Sequence, residues 1–121
     1  MAGMSNRPLA PWQVWWVEFD PVIGREQGKR RSAVIVSSAF HLRLVRGELL
    51  TVLPLTTIER PGWLHRTELI LPKLKPGWAI TEQVRTVSAQ RLAGDRPITV
   101  LSPSQIEEVR GTLGKMLDLA R

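Results

Sequence analysis

The stretch "WQVWWVEFDPVIGREQGKRRSAVIVSS", residues 12–38, contains two strands of different character and the loop between them. "WQVWWVEF" (Trp12 to Phe19) is rich in aromatic and β-branched residues and stops at the Asp20-Pro21 step, the pattern of a strand. Alternation sets Val14, Trp16 and Glu18 on one face and Trp15, Val17 and Phe19 on the other. The single charge on the first face makes the second the expected core face. "SAVIVSS" (Ser32 to Ser38) is a short unbroken apolar run, as expected of a fully buried strand. Between the strands, "GREQGKRR" places one acid, Glu26, among four bases, Arg25, Lys29, Arg30 and Arg31. A cationic loop set directly against a buried strand is either a surface charge cluster or a site that holds a polyanion.

Working outward, "ELLTVLPLT" (Glu48 to Thr56) reads as a third strand, with Pro54 marking its end or an edge position. "TELILP" (Thr67 to Pro72) and "GWAITEQVRTVS" (Gly77 to Ser88) supply more strands, the latter broken around Glu82. "SAQRLAG" (Ser88 to Gly94) suits a short helical turn, and "PITVL" (Pro97 to Leu101) a short strand or an extended lead-in. A helix follows. Ser102 caps it, Pro103 suits its first position, and Gln105 completes a Ser-x-x-Gln capping box. Ile106, Val109, Leu113, Met116 and Leu117 form one apolar stripe, opposite Glu107, Glu108 and Lys115. Gly111 and Gly114 each weaken such a helix by about 1 kcal/mol relative to alanine, a cost that close packing on a sheet would explain. Five or six short strands and a final helix predict a mainly β fold, a small, strongly curved antiparallel barrel or half-barrel with the helix packed against it.

With 121 residues, 43% of them hydrophobic, the chain is expected to form one domain (residues 12–121) behind an N-terminal extension (residues 1–11). It has no cysteine, which excludes disulfides and thiolate zinc sites. No signal peptide or membrane-length apolar run is present, so a cytoplasmic location is the expectation. The net charge is +6, and arginine supplies 13 of the 17 bases. Between Val22 and Arg46, six bases face one acid, so that window alone carries +5. Arginine forks match phosphate oxygens, which favours a nucleic-acid partner. From charge alone, a generally basic surface explains the composition equally well.

His41 and His65 are the only histidines, and no set of histidines and carboxylates has metal-ligand spacing. Neither a nucleophile elbow nor a phosphate-cradling glycine loop occurs, so no cofactor is implied. The two histidines stand in loop-like stretches without a motif around them, which argues against a two-histidine ribonuclease. A second constellation is spread over three places: Glu26 and Arg31 in the first loop, Thr56 at the end of "VLPLTT", and Gln83 and Arg85 in "TEQVRTV". In a small barrel, strand ends at one rim converge, so such residues can surround one pocket.

Taken together, "VWWVEFDPVIGREQGKRRSAVIVSS", "TVLPLTT" and "EQVRTVSAQRLAG", followed by a C-terminal helix, resemble the MazF/PemK toxins of bacterial type II toxin–antitoxin systems. The resemblance runs from Trp12 to Leu119 with the motifs in the family's order. It implies a homodimeric SH3-like barrel of the CcdB/MazF type. It also implies a metal-independent endoribonuclease acting on single-stranded RNA and inhibited by an acidic, MazE-like antitoxin. By position, the family's catalytic arginine falls on Arg31, its catalytic threonine on Thr56 and its loop acid on Glu26. Arg25, Gln27, Lys29, Arg30, Gln83 and Arg85 fall where RNA would be held or the groove supported. This chain departs from the family pattern at Ser32, where proline is usual, and at Ser88, where an acid is frequent. An asparagine common after the second strand is absent from "SAFHLRLVRG".

The chemistry fits. Cleavage by the RNA's own 2′-hydroxyl needs a base for that hydroxyl, positive donors for the phosphorane oxygens and a proton for the leaving 5′-oxygen. Arg31 suits the oxyanion, Thr56 a nonbridging oxygen, and Glu26 either the hydroxyl proton or the orientation of Arg31. The competing expectation is a non-cutting module of the same fold, since the related gyrase poison CcdB acts through a protein target. Arg31 and Thr56 favour the enzyme.

Overall fold

A computed structural model describes residues 7–19 and 30–119. Arg25, Glu26, Gln27 and Lys29, four of the expected site residues, lie outside the described residues. The elements are β1 (Gln13–Glu18), β2 (Arg30–Ile35), α1 (Ala39–Leu44), β3 (Leu49–Thr56), β4 (Arg66–Leu69), β5 (Gly77–Ile80), β6 (Arg85–Ser88), β7 (Leu92–Ala93), β8 (Thr99–Val100) and α2 (Pro103–Met116). Single 3₁₀ turns at Thr81–Gln83 and Ala89–Arg91 join β5 to β6 and β6 to β7. All strand pairs are antiparallel, in the order β4-β5-β3-β2-β1-β7, with β6 also on β3 and β8 on β1. The fold is the expected curled antiparallel half-barrel with a C-terminal helix.

The sheet carries a core on each side. Trp15, Val17, Ala33, Ile35, Leu50, Val52 and Val87 belong to one; Val14, Val34, Leu53, Leu55, Leu69, Ala79 and Val109 belong to the other. Successive residues of β1, β2 and β3 thus enter opposite cores, which is why "SAVIV" has no polar alternation. The expectation for β1 was half right. Trp15, Val17 and Phe19 are buried, but so is Val14 on the face assigned to solvent. The physical reason is α2, whose Val109 is fully buried and covers that second face together with β4 and β5.

Pro54 neither ends β3 nor lies on an edge strand. It is buried opposite Ala33, and β3 continues to Thr56. On the other edge, β3 pairs with β6 as far as Val52 and with β5 from Leu55. Pro54 falls in the gap between the two partners, where an absent N–H spoils no ladder.

The helix α2 starts at the expected capping box. Gln105 N–H donates to Ser102 Oγ at 3.2 Å, and Ser102 N–H donates to Gln105 Oε1 at 2.9 Å. Its apolar stripe is only partly used: Ile106 and Leu113 pack on the second core, whereas Met116 and Leu117 are exposed. Gly111 and Gly114 are not close-packing devices, because a Cβ at either would meet nothing within 4 Å. The "AFHLRL" segment, taken as loop, is α1, and Ser38 caps it by accepting the His41 N–H at 3.0 Å. His41 is structural. Its Nδ1 lies 2.8 Å from the buried Ser37 hydroxyl, which also accepts the Thr51 N–H at 2.8 Å.

Ahead of β1, the guanidinium of Arg7 donates to the carbonyls of Ala89 at 3.1 Å and Leu92 at 3.0 Å, and lies 5.9 Å from the Trp15 ring centre.

Candidate active site

In β2 and β3 the register pairs Ala33 with Pro54 and Ile35 with Val52. Continued by two residues, it sets Arg31 opposite Thr56 at the open end of the ladder, on the first core's side. Twenty-five positions apart in the chain, the two residues are neighbours across one strand pair. Thr56 is also fixed from the other edge, where it pairs with Trp78 of β5. A Cβ at Gly77 would sit 3.0 Å from the Thr56 carbonyl oxygen, so glycine there lets β5 press closely against this strand end. Thr56 Oγ1 accepts the Ile58 N–H at 3.1 Å. Its own proton therefore stays available for an acceptor outside the protein.

Arg30 and Arg31, adjacent in sequence, differ in what binds them. Arg30 faces Glu18 across the β1–β2 ladder and donates to its carboxylate at 2.8 Å, an exposed pair. The Arg31 side chain has no hydrogen bond or ion pair with any described residue, and the residue is half-buried. Of the two, the Arg31 guanidinium is thus the one left for a ligand.

Both Arg31 and Thr56 border a cleft of about 500 Å³, whose wall includes Trp16, Ser32, Leu55, Leu69, Lys73 and Lys75. Among the described residues lining it, Arg30, Arg31, Lys73 and Lys75 are cations and none is an acid. Positive charge, hydroxyls from Ser32, Thr56 and Thr57, and the exposed face of Trp16 suit a phosphodiester with an attached base.

Of the remaining expected residues, Arg85 follows the register of β6 with β3 and shares the first core's face with Val87. Its guanidinium lies over the Phe19 ring at 5.2 Å, a contact that spans from β6 to the end of β1. Arg85 therefore shares a face with Arg31 and Thr56 without bordering the cleft. Gln83 ends the 3₁₀ turn between β5 and β6, is exposed, and does not border the cleft either. His65 stands apart from it, against Trp63 and Glu82. Ser88, at the site of the family's frequent acid, caps the following 3₁₀ turn by accepting the Gln90 N–H at 3.1 Å.

Trp16, Lys73 and Lys75 were not anticipated. Their signals were present: a tryptophan on the more polar face of β1, and a Lys-Leu-Lys triplet between Pro72 and Pro76. What joins them is the turn from β4 into β5, which folds the lysines back beside Thr56.

Comparison with known proteins identifies the family and the fold. The family model described as "PemK-like, MazF-like toxin of type II toxin-antitoxin system" matches residues 10–117. Endoribonuclease MazF9 of Mycobacterium tuberculosis H37Rv is 30% identical over 116 residues, covering 88% of this chain and 94% of that protein. The MazE-MazF crystal structure (Form-II) from Deinococcus radiodurans matches with a TM-score of 0.76 at 23% identity, over 95% of this chain and 100% of the other. The Mycobacterium tuberculosis toxin MazF-mt6 matches with a TM-score of 0.71 at 21% identity, over 90% and 99%. The two structures share the fold, and the family match with the MazF9 similarity settles the kinship: the chain belongs to the PemK-like, MazF-like toxins of type II toxin–antitoxin systems.

Proposed function

We propose that this chain is a metal-independent, sequence-selective endoribonuclease that cuts single-stranded RNA, leaving a 2′,3′-cyclic phosphate and a 5′-hydroxyl. One observation supports the reading: Arg31, unpaired among the described residues, stands opposite Thr56 at the rim of a cleft whose described lining residues include four cations and no acid. In this mechanism the 2′-oxygen attacks phosphorus and the bond from phosphorus to the 5′-oxygen breaks, that oxygen taking up one proton in place of the one lost from the 2′-hydroxyl, while Arg31 donates two charge-assisted hydrogen bonds to the nonbridging oxygens. Thr56, its oxygen already engaged by the Ile58 N–H, donates its proton to one of them. Glu26 takes the proton from the 2′-hydroxyl or orients Arg31, and Arg25, Gln27, Lys29 and Arg30 hold the backbone, with Gln83 and Arg85 supporting the groove. Residues 12–121 form the toxin domain and residues 1–11 its extension.

The test is a short RNA incubated with purified protein in EDTA. Cutting persists in chelator, the products carry the cyclic end, and a 2′-deoxy residue at the cut position abolishes the reaction. Cleavage of that 2′-deoxy substrate, or loss of all activity to EDTA, overturns the mechanism.

In the same proposal the chain acts as a homodimer and is neutralised by an acidic antitoxin. Met116, Leu117 and Leu119 remain exposed at the end of the chain, apolar surface that a second copy would cover. Four lining cations would attract an acidic segment along the RNA path. Light scattering at micromolar concentration should give twice 13.7 kDa, and saturating antitoxin should displace RNA. A monomer, or RNA binding indifferent to antitoxin, counts against these assignments.

A further inference from the structure

Beyond Thr56, the loop from β3 to β4 carries an assembly that the cleavage chemistry does not use. Trp63 is 45% exposed and belongs to neither core. The Arg66 guanidinium lies 4.8 Å from its ring centre and that of Arg60 5.7 Å away. The His65 ring stacks on it with centres 5.1 Å apart and planes at 29°. His65 is itself held: its Nε2 is 3.4 Å from the Glu82 carboxylate, and Thr81 donates its N–H at 3.3 Å and its hydroxyl to the His65 carbonyl. The Arg66 side chain is only 10% exposed, and its buried Nε has no hydrogen-bond partner among the described residues.

An indole this exposed contributes little to folding, yet three neighbouring side chains, those of Arg60, His65 and Arg66, fix its position. Fixing a large aromatic surface in advance removes the ordering cost of binding, as in recognition sites built on rigid aromatics. The surroundings are cationic and aromatic, which suits the face of a nucleobase better than a hydrocarbon. The assembly also reaches the reaction site through one residue. Arg66 Nη1 donates to the Ile58 carbonyl at 3.5 Å, and the Ile58 N–H donates to Thr56 Oγ1 at 3.1 Å. A base seated on Trp63 would therefore belong to a nucleotide flanking the cut phosphate.

We infer that Trp63 is a stacking platform for one unpaired base of the RNA beside the cut site, steadied by His65 and Arg66 and closed over by the exposed Arg60. The inference rests on the proposed RNA cleavage and adds a subsite to it. Its test uses a fluorescent single-stranded RNA containing one mapped cut site, made uncleavable by 2′-deoxy substitution there. A companion series carries a single abasic nucleotide at each flanking position.

With the wild-type chain, one abasic position should weaken binding by about 5- to 150-fold, the range for one stacked base. Trp63→Ala should lose the same factor on the intact RNA and be indifferent to that abasic position. Trp63→Phe should retain most of the affinity and the positional preference. Trp63→Ala binding intact RNA as tightly as wild type overturns the inference, as does an unchanged abasic profile. A defect confined to antitoxin binding also overturns it, assigning Trp63 to the protein partner instead. Wild-type protein that binds no single-stranded RNA sinks the proposed function itself, whereas wild type that cuts normally beside an unaffected Trp63→Ala sinks the subsite alone.

Discussion

Arg31→Ala should lower the rate of RNA cleavage by at least ~10²-fold while leaving the affinity for an uncleavable 2′-deoxy RNA within a few-fold of wild type. The size follows from what is removed: a charged, forked donor aimed at oxygens whose charge grows only in the transition state. A factor of 10² corresponds to about 2.7 kcal/mol of lost transition-state stabilisation. Arg31→Lys should recover little, because an ammonium cannot span two phosphate oxygens as the guanidinium does. Thr56→Ala should follow the same pattern more mildly, since a neutral donor is weaker than a charged one.

Arg30 is the internal control. It is already paired with Glu18 in an exposed ion pair, so Arg30→Ala should weaken binding modestly and across all sequences, with turnover of bound RNA retained. Single-turnover kinetics in EDTA separate the two effects. Wild-type turnover by Arg31→Ala would remove this residue from the chemistry.

Trp15→Ala should cost about 3–5 kcal/mol of folding stability, as expected for deleting a fully buried aromatic side chain. Trp15 sits in the first core, its indole N–H donates to Gln13 Oε1 at 2.8 Å, and Gln13 is itself buried. The substitution therefore opens a cavity and removes a partner from a buried amide at once. Gln13 Oε1 still accepts the Ala10 N–H at 3.2 Å, which limits the second penalty. Against a typical domain stability of about 5–15 kcal/mol, the loss is a large share of the total. Trp15→Phe should cost less, because it restores most of the volume and loses only the N–H. Urea titrations at one fixed protein concentration measure both, since any self-association makes stability concentration-dependent. A loss below about 1 kcal/mol for Trp15→Ala would mean that the core closes around the gap.

The elements with strong local signals were legible in the sequence. Ser102, Pro103 and Gln105 mark the start of α2 because capping chemistry is local, and the break near Glu82 appears as a 3₁₀ turn. Segments whose identity depends on distant partners were not. "AFHLRL" has six helical residues, too few for periodicity to register, and its cap Ser38 looks like the tail of the preceding strand. Val14 is buried because α2 arrives from the far end of the chain to cover it.

The site divides in the same way. Arg31 and Thr56 stand inside motifs that resemble a known family, and the strand register sets them opposite each other. Lys73 and Lys75 carry no such motif. Their place beside Thr56 exists only once β4 turns back into β5, which no local pattern announces.

The two-sided sheet has a consequence for how this protein can vary. In β2, successive residues enter opposite cores, so Arg31 reaches the side of Thr56 only because an even number of positions separates it from Ala33 and Ile35. Losing or gaining a single residue between Arg31 and Ile35 would move the guanidinium to the face of the sheet opposite Thr56 while every functional side chain remained in the chain. Exchanges among apolar residues there cost packing. Changes of length would cost the meeting of Arg31 and Thr56, the proposed catalytic pair. Inheritance in this segment is therefore of spacing as much as of composition, and the counting of residues is part of the active site.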